Sequence, residues 1–139
     1  MRMHTQQNRD IWMRTISILA IAFGLLTLKQ GGSVLFGSDA ARAAAGHYVP
    51  FVLWFNFLAG FAYVFAGAGL WWRQHWAAWL AIAIAAATVL VFAAFLVHIG
   101  SGGTWEQRTL YAMILRSVVW LAIAAIARRR LLRHRSAAA

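Results

Sequence analysis

Three side chains in this sequence carry binding chemistry in places where an apolar residue would be expected. Arg116 interrupts the run "TLYAMILRSVVWLAI" near its middle, and Asn56 and Tyr63 interrupt "PFVLWFNFLAGFAYVF". A guanidinium stays charged at any physiological pH and holds its N–H donors in a planar fork. Inside an apolar run it needs water, backbone carbonyls, a lipid phosphate or an anionic ligand. No Asp or Glu lies within the apolar part of the long hydrophobic runs. The nearest acid along the chain, Glu106, would stand about 15 Å from Arg116 on a helix axis. Arg116 therefore reads as a cation without a counter-ion. The plain alternative is a hydrated arginine that staples neighbouring helices.

Helical spacing groups these residues. Asn56, Gly60, Tyr63 and Gly67 follow i, i+4, i+7, i+11 and share one face, as do Thr109, Ala112, Met113 and Arg116 on another helix. Asn56 lies roughly 10 Å into its helix, and Arg116 roughly 16 Å past Trp105. Side chains lean toward the helix N-terminus, which carries the Arg116 guanidinium back toward the level of Asn56. An Arg116–Asn56 contact is expected, with Trp54 and Tyr63 completing the ligand-binding candidates. No catalytic residue is expected.

A second polar cluster comprises Lys29, His47, His98, Glu106 and Arg108. His98 and Glu106 flank the "GSGG" turn and are expected to meet across it. Two histidines and a carboxylate can ligate zinc or copper, but no HxxxH-like spacing is present, and no metal site is expected. Opposed histidines for haem are missing, as are a nucleophile elbow and the phosphate-loop and dinucleotide fingerprints. "GGSVLFG" is rich in glycine but lacks the lysine of a phosphate loop, so it reads as a turn with a shallow re-entrant dip. Cysteine is absent, which excludes disulfides, thiolate metal sites and cysteine nucleophiles. No cofactor is expected.

The elements that must position these residues follow from composition. Of 139 residues, 63% are hydrophobic and 12% charged, against about 25% charged in an ordinary globular domain. So few polar groups cannot cover a small globule. The expectation is an all-α integral membrane protein: an up-down bundle of four transmembrane helices over about 11–28, 49–72, 76–99 and 105–127, forming one domain. Each run approaches the ~20 apolar residues that a membrane crossing needs. The connectors "RQH" and "GSGGT" are short enough to make neighbours antiparallel. "SDAARAAAG" has a Ser/Asp start and an alanine body, which predicts one short helix in the first connector. Pro50 suits the first turn of the second span. Small residues at Gly60, Ala66, Gly67 and Gly69, and at Ala78, Ala81, Ala85 and Thr88, predict close contact of the second and third spans.

The formal net charge is +10, from 13 basic and 3 acidic residues. Arg128, Arg129, Arg130, Arg133 and Arg135 follow the last span as a basic tail 128–139, expected to meet anionic lipid headgroups rather than nucleic acid. With Arg2, Arg9, Arg14 and Arg73 on the same side, and only Lys29, Arg42 and Arg108 opposite, both termini are expected in the cytoplasm. Trp12, Trp71, Trp72, Trp76 and Trp79 would form an aromatic belt on that side, with Tyr48 and Trp105 on the other. The first span is read as retained, because the small-residue stretch "ARAAAG" lies too far beyond its apolar core for a signal-peptide cleavage site.

The second span ends in "GAGLWWR" and the third in a histidine, His98. In this layout, over Pro50 to His98, the chain resembles DoxX-like small membrane proteins. It departs from them where such proteins often carry an acid inside the second helix; here Tyr63 stands nearby. The resemblance implies a four-span fold and, through some members, a membrane part of a quinone-linked oxidoreductase; a third functional reading is such a subunit, taking quinone near Trp54, Asn56, Tyr63 and Arg116. The first functional expectation is an accessory or scaffold subunit of an inner-membrane complex, with a protein partner or a second copy of the chain. The alternative is a binding or transport protein for an anionic or polar-headgroup ligand at an outward-facing site around Asn56 and Arg116.

Overall fold

A computed structural model describes residues 2–133. Within them the chain is all helical: α1 (Arg2–Phe36), α2 (Asp39–Ala45), α3 (Pro50–Trp71), α4 (His75–Gly100) and α5 (Gln107–Ala127). A π-helical turn, Arg128–Leu132, continues α5. The four long helices are all long and apolar enough to cross a membrane. Their outer surfaces carry large hydrophobics such as Leu25, Phe65, Leu90, Val97 and Leu121, all more than half exposed or nearly so. An apolar exterior of this extent is larger than the surface patches of ordinary water-soluble monomers.

The first helix is longer than its apolar core. α1 runs 35 residues, about 52 Å at 1.5 Å per residue, and takes in both the polar N-terminal segment and "GGSVLF". The turn and re-entrant dip expected at "GGSVLFG" are therefore replaced by helix. Each glycine costs a helix interior up to about 1 kcal/mol. At Gly31 close packing offsets that cost, because a Cβ there would lie 3.1 Å from the Cβ of Phe57 on α3.

The same logic runs along the whole α1–α3 seam, the most extensive helix pairing in the fold. A Cβ on Gly24 would stand 2.8 Å from the Gly60 carbonyl oxygen, and one on Gly67 would stand 2.9 Å from the Ser17 carbonyl oxygen. Ser17, Gly24 and Gly31 recur every seven residues on α1, and Gly60 and Gly67 do so on α3. As α1 advances its partners on α3 recede, so the two helices run in opposite directions. The Gly60/Gly67 face thus packs on the first long helix. Only Gly69 serves the expected contact with the third span, where its Cβ would come 2.7 Å from the Ala77 Cβ.

α3 and α4 are joined by a tight turn in which Gln74 N–H donates to the Gly69 carbonyl at 2.9 Å. Arg73 adopts a left-handed conformation there, φ 55°, and its guanidinium bonds to Asp10 on α1. In α2, as its sequence predicts, Ser38 caps the first turn by accepting from Ala41 N–H at 3.3 Å. Pro50 sits in the first turn of α3.

Two buried clusters result. The larger gathers Ile16, Tyr63, Leu70, Ala81, Trp120 and their neighbours from the four long helices. The smaller holds Val49, Val52, Phe95 and Met113 near the other end. α3 packs on α1 and α4, and α4 packs on α5, but α1 and α5 are not packed backbone to backbone. Between α1 and α5 the link is made by side chains, which share the larger cluster, rather than by close backbone approach.

Candidate functional site

A cavity of about 490 Å³ lies among α1, α2, α3 and α5. α1 contributes Thr27, Gln30 and Ser33 to its wall, α3 contributes Leu53 and Asn56, and α5 contributes Arg108, Thr109, Ala112 and Arg116. α2 and Tyr48 border it at one end, together with Glu106 from the α4–α5 connector. It therefore runs from the α2 end of the bundle to the middle of α5.

Arg116 forms the deep end. Its residue is only 7% exposed, although it lines the cavity. Nη2 reaches across to α1 and donates to the Thr27 hydroxyl at a long 3.5 Å, and the guanidinium carbon stands 5.6 Å from the centre of the Phe23 ring. Nε has no hydrogen-bond partner. Neither of the two ion pairs among the described residues involves Arg116. A buried guanidinium with one long neutral acceptor, one aromatic face and the Tyr63 hydroxyl nearby, but no carboxylate, is under-satisfied, and such groups carry a large desolvation cost.

Asn56 lines the same cavity, and its Oδ1 is buried without a partner. The expected direct Arg116–Asn56 bond is not formed: the guanidinium turns to Thr27, because α1 supplies a hydroxyl on the facing wall. Both residues line the one cavity.

Tyr63 is fully buried and does not line the cavity. Its ring stacks on Phe23 at 5.7 Å between centres and on Trp120 at 4.7 Å. Its hydroxyl lies near Arg116 and Thr88 but makes no hydrogen bond, and Trp120 Nε1 is likewise buried and unpartnered. Thr88 spends its own proton on the Ile84 carbonyl at 2.7 Å. Trp54 lies elsewhere: it is 46% exposed on the outer surface, edge-on to Phe36 and Phe57.

The second polar cluster divides. Glu106 and Arg108 line the cavity, whereas Lys29, His47 and His98 do not. Arg108 donates to the Ala44 carbonyl of α2 at 2.9 Å. Glu106 accepts from the backbone N–H of His47 at 2.8 Å. The expected meeting of His98 with Glu106 does not occur, since His98 is held inside the α4–α5 connector while Glu106 reaches across to the α2–α3 connector. His98 Nε2 lies 3.0 Å from the Thr104 carbonyl, and its ring packs against Gly103, closing the turn on itself. Lys29 is exposed on α1. Arg128, Arg129 and Arg133 are exposed on the extension of α5 and Arg130 is half-buried, while Leu131 and Leu132 return to the main core. Arg135 lies outside the described residues.

Thr27 and the polar wall of α1 were not evident as site residues in the sequence. The available signal is their spacing: Phe23, Thr27, Gln30 and Val34 follow i, i+4, i+7, i+11 and so share a face. The cavity thus sets one buried, incompletely bonded cation at its depth and an Arg/Glu pair of side chains nearer α2. An anionic oxygen placed beside Arg116 would meet a guanidinium that no carboxylate of the described residues neutralises. No family model matches the chain, and neither does any curated protein or solved structure.

Proposed function

We propose that the chain is a multi-pass inner-membrane protein that binds an anionic or polar-headgroup ligand in the cavity above Arg116. Four apolar helices with short connectors support an up-down arrangement in the bilayer. The arginine asymmetry supports cytoplasmic termini and a cavity that opens outward. The observation that carries the reading is Arg116 itself: buried, lining a cavity of ligand size, and with Nε unbonded. Pockets of about 300–1,000 Å³ suit small organic ligands rather than bare ions. Asn56 adds an unpartnered amide group that can orient such a ligand.

Titration of butyl phosphate onto the purified chain in phosphatidylcholine nanodiscs tests this. Binding should weaken by roughly 10- to 100-fold in Arg116→Gln, the equivalent of one or two charge-assisted hydrogen bonds. Equal binding by the two proteins would refute an anion site at Arg116.

An accessory or scaffold role is the second reading. A groove between α4 and α5, floored by Ala85, Ala86 and Ala124, presents the small side chains against which a partner's helix packs. A stoichiometric partner retained through purification in mild detergent would support it, and loss of that partner in Ala86→Leu would place it in the groove.

A further inference from the structure

The cavity lies between the two helices that do not pack on each other. α1 is fixed to α3 by glycine contacts at Gly24 and Gly31, and α5 is fixed to α4. Across the remaining side of the ring, the face of α1 bearing Thr27 and Val34 confronts the face of α5 bearing Thr109 and Ala112. These side chains are short. The guanidinium of Arg116, reaching Thr27 and Phe23, is the group that spans the gap at its deep end. Backbone contact is sparsest on this side of the ring, which makes it the side through which a molecule dissolved in the bilayer would reach the cavity.

Resting on the anion site proposed above, we infer that the ligand is an amphiphile: an acidic oxyanion head on an alkyl chain, entering between α1 and α5. The oxyanion accepts from the Arg116 guanidinium, whose Nε is buried without a partner and is brought to the ligand by a turn of the side chain; Asn56 bonds a further polar group of the head, and the alkyl chain stays between the helices or in lipid. The cavity's size agrees, since about 490 Å³ exceeds what a free phosphate fills and admits a head with the first part of its chain. The same oxyanion chemistry could be met by a water-soluble phosphate entering at the α2 end, and the experiment separates these sources.

Dodecyl phosphate carrying a diazirine in its alkyl chain is irradiated with the chain in phosphatidylcholine nanodiscs, and the labelled residues are mapped by peptide mass spectrometry. Labels should concentrate on α1 and α5, fall at least several-fold with excess unlabelled dodecyl phosphate, and fall likewise in Arg116→Gln. If that variant fails to fold, Asn56→Leu provides the same readout from the opposite wall. Labels spread evenly around the bundle, or lying on the outer faces of α3 and α4, would overturn lateral entry. If butyl phosphate still binds in an Arg116-dependent way in that case, the anion site survives and only the amphiphile is lost. If neither phosphate binds through Arg116, both readings fall.

Discussion

Arg116 on α5 and Thr27 on α1 meet at 3.5 Å where backbone contact between their helices is sparse. The contact is long for a hydrogen bond, and a neutral hydroxyl cannot neutralise a guanidinium. The pair therefore joins two helices weakly while leaving a buried charge largely uncompensated. This is a poor solution for stability and a good one for capturing an anion.

Stability and binding should consequently move in opposite directions in Arg116→Met. Replacing an uncompensated buried charge by an apolar side chain of similar length is neutral or stabilising, by up to about 4 kcal/mol. Phosphate binding should disappear. Thermal unfolding in detergent alongside the binding titration checks both; a clear loss of stability would mark Arg116 as a structural staple.

The glycine seam gives a sharper stability test. In Gly24→Ala the new Cβ meets the Gly60 carbonyl oxygen and Val64 Cγ2, each at 2.8 Å, so backbone must shift. The expected cost is about 1–3 kcal/mol, typical of overpacking. In Gly100→Ala the new methyl meets nothing within 4 Å, and the change should be neutral or slightly stabilising. Unfolding midpoints of the two variants should lie on opposite sides of, or at unequal distances from, the parent value.

The α2 end of the cavity depends on one close approach. Gly46 has φ 69°, and a Cβ there would lie 2.3 Å from Glu106 Oε1, the atom that holds the His47 N–H. Gly46→Ala pays both the left-handed penalty, roughly 1–2 kcal/mol, and the loss of that hydrogen bond. Glu106→Gln keeps an acceptor and should be mild. Hydrogen exchange over residues 39–48 should quicken markedly in the first variant and little in the second.

Orientation can be read without background labelling, because the chain has no cysteine. Ser101→Cys and Gln74→Cys lie in the connectors after α4 and before it. In intact cells a membrane-impermeant maleimide should modify Cys at 101 and spare Cys at 74 until the membrane is opened. The reverse pattern would invert the topology and turn the cavity toward the cytoplasm.

Much of the architecture was legible locally. Runs of apolar residues set four long helices, Ser38 set the start of α2, and Pro50 the start of α3, since each acts on backbone within a few residues of itself. The isolation of Arg116 was equally legible, because no acid is close to it in the chain. What the tertiary structure decided is which faces meet. A small-residue stripe says that a helix can be approached closely but not by which neighbour, and Gly60 and Gly67 turned to α1 rather than to α4. "GGSVLF" became helix because Phe57 needed the room that Gly31 leaves. The same choice of partners left α1 and α5 apart, and only that gap gave Arg116 a cavity, with Thr27 on the facing wall. Helical periodicity fixes direction around one axis; pairing depends on the shapes of every other helix at once.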